Sequence, residues 1–187
     1  MSKEQVLEAV KVLRSGGVIL YQSDTIWGIG CDARNSEAVK KVFEIKKRKE
    51  SKSLITLLGD ELELQSYVRE VPEVAWDLIE FSESPLTIVY DDVRNLAKEV
   101  LAEDGSAGIR IAKKDSACNN LLRAFRGPLV STSANITGVD FSGQFEDVSQ
   151  EVIDSVDFVL ESSAKAEVKA SKIIKLGVNG DYKLIRA

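Results

Sequence analysis

Short apolar runs recur along the chain at residues 18–21, 53–58, 86–90, 107–111, 129–132, 157–160, 172–176 and 182–186, with longer stretches of helical period between many of them. Runs of this length, bounded by glycine, serine and aspartate, read as buried strands. A chain that mixes such strands with helices has to bury them in a sheet with helical cover, an α/β or α+β arrangement. Asn179 and Gly180, between the last two runs, form the strongest hairpin signal in the chain. Part of the sheet is therefore expected to be antiparallel.

The helical stretches have readable ends. Ser2 with Gln5 makes a capping box, Val6, Val10 and Leu13 follow at helical spacing, and Gly16 and Gly17 stop the pattern. A second helix starts near Ser36, carries Val39, Val42, Phe43 and Ile45 on one face, and runs into the basic cluster Lys46, Lys47, Arg48 and Lys49. Cations in a last turn suit the helix dipole. Further helices are expected at about 61–68, 72–81, 93–102, 115–125 and 147–155. Residues 23–30 are polar and glycine-rich and follow a buried strand, the place where α/β proteins bind ligands, and residues 161–171 read as a loop. There is no repeat, low-complexity tract or linker. The 187 residues suit one domain, 1–187.

Composition removes whole classes of chemistry. With 44% hydrophobic and 29% charged residues the chain has the balance of a folded globular protein. No apolar run approaches the roughly 20 residues that span a bilayer, and the N-terminus lacks the apolar stretch of a secretion signal. The expected location is the cytoplasm, with no membrane partner. Cys31 and Cys118 are the two cysteines, far apart, so neither a disulfide framework nor a four-cysteine zinc site can be built, and both are expected to be buried or bystander thiols. The chain has no histidine. That excludes a Ser-His-Asp triad, a Cys-His pair and histidine-ligated metals, and leaves catalysis to positioning and charge. A net charge of -5 argues against a broad nucleic-acid surface.

Four clusters stand out against this background. Ser23, Asp24 and Thr25, with Trp27 and Gly28, follow the first strand; a simple turn also explains them. Lys46 to Lys52 holds five positive charges against Glu50, which suits a solvated helix end or a clamp for phosphate and carboxylate. Ser106 and Arg110 bracket a strand in which a guanidinium, if buried, needs an anionic partner; an exposed strand face is the alternative. Ser131, Thr132, Ser133 and Asn135 end a strand in small hydrogen-bonding groups of the kind that suit a phosphate or an amino acid. Neither the Walker loop nor the Rossmann glycine motif is present.

Together the clusters resemble the YrdC/Sua5 family of threonylcarbamoyl-AMP synthases over nearly the whole chain. The family's opening strand and Thr-Asp-Thr-x-x-Gly loop are similar to residues 21–28, and its Lys-x-Arg matches Lys46 and Arg48. Its V-G-I-R strand is similar to residues 107–110, and its Ser-Thr-Ser-Ala-Asn is matched without change at residues 131–135. The chain departs from the family pattern at Ser53, at Glu83, Ser84 and Pro85, at Lys172 and at Ala187.

The resemblance implies an open, twisted sheet, mixed parallel and antiparallel, of the YrdC-like fold in a single domain, with a deep positive cavity. It implies threonine-binding roles for Thr25, Lys52, Arg110, Ser131 and Ser171. It implies ATP-binding roles for Arg48, Ser106, Ser133, Asn135, Ser142 and Arg186, with Lys46, Arg48, Ser133 and Asn135 as the catalytic signature. The substrates implied are L-threonine, bicarbonate and ATP, with magnesium arriving on the nucleotide and no protein-held metal. A tRNA contact and hand-off of the product to a threonylcarbamoyl transferase complex are the further partners implied. Two other readings compete: an RNA-binding module built on the basic stretch 46–52, and the related domain of hydrogenase-maturation carbamoyltransferases. The second requires paired cysteine zinc motifs and extra domains that two cysteines and 187 residues do not supply.

Overall fold

The computed structural model describes residues 2–48, 54–162 and 170–187. Nine strands form one mixed sheet among these residues: β1 (Ile19–Gln22), β2 (Trp27–Gly30), β3 (Ile55–Leu58), β4 (Leu86–Tyr90), β5 (Ala107–Ile111), β6 (Leu129–Ser133), β7 (Phe158–Leu160), β8 (Lys172–Leu176) and β9 (Tyr182–Arg186), in the order β7-β1-β2-β6-β3-β5-β4-β8-β9. The β1/β7, β3/β5 and β4/β8 pairs are parallel; β1/β2, β2/β6, β3/β6, β4/β5 and β8/β9 are antiparallel. The mixed sheet agrees with the expectation, and the β8/β9 hairpin turns at Asn179 and Gly180, where Gly180 takes φ +84.

Among the described residues six helices flank the sheet: α1 (Lys3–Arg14), α2 (Ser36–Ile45), α3 (Leu64–Tyr67), α4 (Glu73–Phe81), α5 (Ala117–Phe125) and α6 (Gln150–Ser155). Ser2 and Gln5 close the capping box of α1, satisfying backbone N–H groups that a helix start otherwise leaves open. Strand side chains alternate between faces. One face therefore carries Ile19, Tyr21, Leu57 and Leu129, packed under Val6, Val10 and Leu13 of α1 and Leu121, Leu122 and Phe125 of α5. Leu20, Ile29 and Val130 point to the other face, against Val39, Val42 and Phe43 of α2, while Ile88, Tyr90 and Ile109 pack with Ala75 of α4 on that same side. Both cysteines are buried and unpaired.

Four expectations are corrected. Residues 93–102 hold only a single 3-10 turn, Lys98–Val100, because Asp92 and Asn95 adopt left-handed φ values of 49 and 58, which a helix cannot propagate through. Residues 27–30 form strand β2 rather than continuing the loop. Their glycines fit a close sheet: a Cβ on Gly30 would lie 2.7 Å from Val130 O and 2.8 Å from Tyr21 Cε1. Helix α2 ends at Ile45, before the basic cluster, since Lys47 turns the chain with φ 48. The helices expected at 61–68 and 147–155 are shorter, each preceded by a 3-10 turn. Of the loop expected at 161–171, residues 163–169 lie outside the described residues.

Candidate active site

On the face covered by α1 and α5, part of the sheet stays bare, and there a cavity of about 310 Å³ opens. Its floor shares the strand parity of Tyr21 and Leu57: Gly28 stands opposite Ser133, Ser131 opposite Ile55, and Gly108 between Ile55 and Val89. The glycines make room for the polar residues. A Cβ on Gly28 would lie 2.9 Å from Thr132 O and 3.7 Å from Ser131 Oγ, and one on Gly108 would press on Thr87 at 3.2 Å.

Ser23 builds the turn at one end of the cavity. Its hydroxyl oxygen accepts from the N–H groups of Thr25 and Ile26, both at 3.1 Å, and lies 2.9 Å from Thr25 Oγ1. That turn delivers Asp24 to Arg110 of β5 in an ion pair of 2.8 Å, with side chains only 1% and 4% exposed. The Arg110 guanidinium also reaches Thr25 Oγ1 at 3.4 Å. The guanidinium thus has its anion, and the exposed-strand alternative fails.

At the other end, Arg186 of β9 donates to Ser171 O at 2.7 and 3.0 Å and to Ser171 Oγ at 3.2 Å. Ser171 Oγ and Thr87 Oγ1 are 2.8 Å apart and buried. Burial, and then the Arg110 charge, lower the Arg186 pKa from its ordinary value.

Lys46 is 2% exposed and is no solvated helix end. Its ammonium donates to Ser133 O and to Asn135 O, the latter at 2.7 Å, and approaches Ser133 Oγ and Asn135 Oδ1. Ser133 Oγ donates to Asn135 Oδ1 at 2.6 Å, and Asn135 Nδ2 donates to Val139 O. Lys46 therefore clamps the turn after β6, and burial, with Arg48 nearby, pushes its pKa down to about 8. Arg48, two residues on, lines the cavity, and burial lowers its pKa too.

Of the residues singled out in the sequence, Thr25, Arg48, Arg110, Ser131, Ser133, Ser171 and Arg186 all line this one cavity. Lys46 and Asn135 stand directly behind Ser133. Ser106 lies on β5's approach, buried, with its hydroxyl donating to Asp104, and is not a lining residue; Ser142 is exposed, its oxygen accepting from Gln144 N–H, and is not one either. Lys52 lies outside the described residues. The sequence reading missed Thr87 and Gly108. A lone hydroxyl at the centre-facing parity of the apolar strand β4 was the available signal for Thr87, while Gly108 shows its role only once β4 is beside it.

A family model described as telomere recombination, Sua5/YciO/YrdC, matches residues 11–187. The chain belongs to the Sua5/YciO/YrdC family. Relatives within and around this family carry names that bear on the cavity. A protein of Stenotrophomonas maltophilia (strain K279a) named threonylcarbamoyl-AMP synthase is 31% identical, over 85% of this chain and 87% of its own. One of Idiomarina loihiensis with the same name is 28% identical, over 84% and 86%. The P. abyssi Sua5 structure complexed with L-threonine superposes with a TM-score of 0.86 at 21% identity, over 94% of this chain and 52% of that one. The chain thus spans about half the length of that Sua5, and the likeness fixes the Sua5-type fold. Among the described residues no helix is long and apolar enough to cross a membrane.

Proposed function

We propose that this chain joins L-threonine, bicarbonate and ATP into L-threonylcarbamoyladenylate and pyrophosphate, the activated carbamoyl donor for N6-threonylcarbamoyladenosine in tRNA. The observation that carries the reading is the meeting of Arg48, Arg110 and Arg186 with the hydroxyls of Thr25, Ser131, Ser133 and Ser171 in one cavity. Its 310 Å³ falls at the small-molecule end of pocket sizes, roughly 300 to 1,000 Å³. Relatives that align over most of the chain are named threonylcarbamoyl-AMP synthase.

The chemistry needs no protein nucleophile. Threonine's neutral amine adds to the carbon of CO2 with loss of a proton, or to that of bicarbonate with loss of water, to give a carbamate, and a carbamate oxygen attacks the α-phosphorus of ATP. The bond from that phosphorus to the bridging oxygen breaks, and its electron pair leaves with pyrophosphate. Such transfers depend on alignment and on neutralising charge, which arginines and hydroxyls supply without histidine. Arg110 receives the threonine carboxylate, Thr25 and Ser131 its hydroxyl, and Arg48 and Arg186 the phosphates. Lys46 acts through its clamp, holding Ser133 and Asn135 where they meet the nucleotide. An anion in the cavity offsets the desolvation that lowers the pKa values of Arg48 and Arg186. Magnesium comes with ATP, bound by phosphate oxygens and water.

Cytoplasmic location, contact with tRNA and hand-off of the adenylate to a threonylcarbamoyl transferase complex follow from the same reading. The RNA-binding alternative loses its main support because Lys46 is buried on carbonyls and Arg48 lines the cavity. The test is incubation of the pure chain with ATP, magnesium, bicarbonate and labelled threonine. Threonine-dependent pyrophosphate release with a labelled adenylate is expected. ATP cleavage that ignores threonine, or none at all, rejects the assignment.

A further inference from the structure

The arginines at the two ends of the cavity are electrostatically unlike. Arg110 is held at 2.8 Å by Asp24, a carboxylate almost wholly removed from solvent. Arg186 donates to the neutral carbonyl and hydroxyl of Ser171. Both arginines face the cavity from the same side of the sheet. Arg186 stands opposite Ile173, and Ile173 opposite Thr87 on β4, the neighbour of β5. Three strand spacings separate β9 from β5, about 14 Å of backbone.

A buried guanidinium whose charge is cancelled still donates hydrogen bonds, but it attracts a polyanion far less than an uncancelled one does. Arg110 Nε and Asp24 Oδ2 are both buried without hydrogen-bond partners among the described residues, and Asp24 is not a lining residue of the cavity, so its carboxylate acts there through Arg110. The single carboxylate of an amino acid is held by hydrogen bonds that the paired guanidinium still donates. A polyphosphate, with several negative charges to desolvate, needs an uncancelled cation.

We propose that Asp24 sets the substrate partition of the cavity: by pairing with Arg110 it makes that end a subsite for an amino acid and excludes polyphosphate, which goes to the Arg186 end. The inference rests on the threonine and ATP reading given above and adds a specificity-determining role for Asp24. The residue acts on polyphosphate through Arg110, as a positioning and charge-cancelling group.

The experiment is calorimetric titration of L-threonine and of inorganic pyrophosphate, each alone and each in the presence of the other, with a thermal melt for every variant. In the unaltered chain, pyrophosphate is expected to leave threonine affinity within about twofold, because the two anions occupy separate ends. In Asp24→Asn, nearly isosteric but uncharged, pyrophosphate gains access to Arg110 and weakens threonine binding about tenfold or more, by competition. Asp24→Glu restores the charge and removes the competition. Removing one partner of a buried pair can unfold a chain, so Arg186→Gln on the exposed strand β9 supplies an independent reading. It is expected to weaken pyrophosphate about tenfold and to leave threonine within about twofold.

An Asp24→Asn chain that melts cooperatively and binds threonine equally well with and without pyrophosphate overturns the proposal. So does an Arg186→Gln chain that keeps its pyrophosphate affinity. An unaltered chain that binds neither compound removes the threonine and ATP reading and this proposal with it, whereas binding of both with an unchanged pattern in the variants removes the proposal alone.

Discussion

At the residue scale, Lys46 shows how burial turns a basic side chain from a surface charge into a structural clamp. Its pKa is lowered to about 8 from 10.5, first by burial and then by Arg48. The folded chain therefore releases that proton before the unfolded chain does. Burial of the charge costs stability below about pH 8, and the cost fades as the pH climbs toward 10.5. Relative to Lys46→Met, the unaltered chain is expected to gain on the order of 3 kcal/mol between pH 7.5 and 10.5 in urea unfolding. A constant difference across that range would mean the carbonyl contacts hold the proton in place. The hydroxyls of Thr25 and Ser131 carry a second expectation. Sites built to hydrogen-bond a hydroxyl are left unpaired by an analogue that lacks it, so valine is expected to be turned over at least about a hundredfold less efficiently than threonine. Equal kcat/KM values for the two amino acids would remove those residues from the side-chain subsite. Asp24 and Thr87 illustrate what a residue-by-residue reading loses: each is an ordinary turn or strand residue until its partner, Arg110 or Ser171, is beside it.

Among the elements, those with strong local signals are found where the sequence places them. The capping box starts α1, and β4, β5, β8 and β9 occupy the residues of their apolar runs. Residues 93–102 fail because helical spacing of apolar side chains says nothing about Asp92 and Asn95, whose left-handed backbone is fixed by neighbours such as Ser66 O, which accepts from Asn95 Nδ2 at 2.7 Å. Strand β2 was hidden for the opposite reason. Glycine lowers strand propensity, yet Gly28 and Gly30 are what allow β2 to lie close to β6. Gly30→Ala brings a Cβ to within 2.8 Å of both Val130 O and Tyr21 Cε1. The expected cost is about 1 to 3 kcal/mol, the range for overpacking a filled site, read as a lower urea midpoint with unchanged slope. A midpoint equal to that of the unaltered chain would show that β1 and β6 can separate at little cost.

Over the whole molecule, the sheet order gathers side chains from opposite ends of the chain: Thr25 from the β1/β2 turn, Arg110 from β5, Ser131 and Ser133 from β6, and Arg186 from β9. Arg48 and Asn135, 87 residues apart, are linked through Lys46, which follows α2 and bonds the Asn135 carbonyl. Arg48→Ala is expected to cost about 2 to 4 kcal/mol in transition-state stabilisation and Asn135→Ala less, with the double variant falling short of the sum because both act on one bound nucleotide. Threonine-dependent pyrophosphate release measures this, and strict additivity would place the two residues in independent sites. The sequence by itself determined the alternation of strands and helices, the β8/β9 hairpin and the absence of histidine chemistry, since periodicity, turn chemistry and composition are local properties, and its family resemblance named the polar residues Thr25, Arg48, Arg110, Ser131, Ser133, Ser171 and Arg186 of the cavity. Only the tertiary structure decided that Lys46 is a clamp, that Asp24 neutralises Arg110, and that Ser106 and Ser142 stand outside the lining, because burial and charge pairing depend on which strands become neighbours, and no local pattern encodes that.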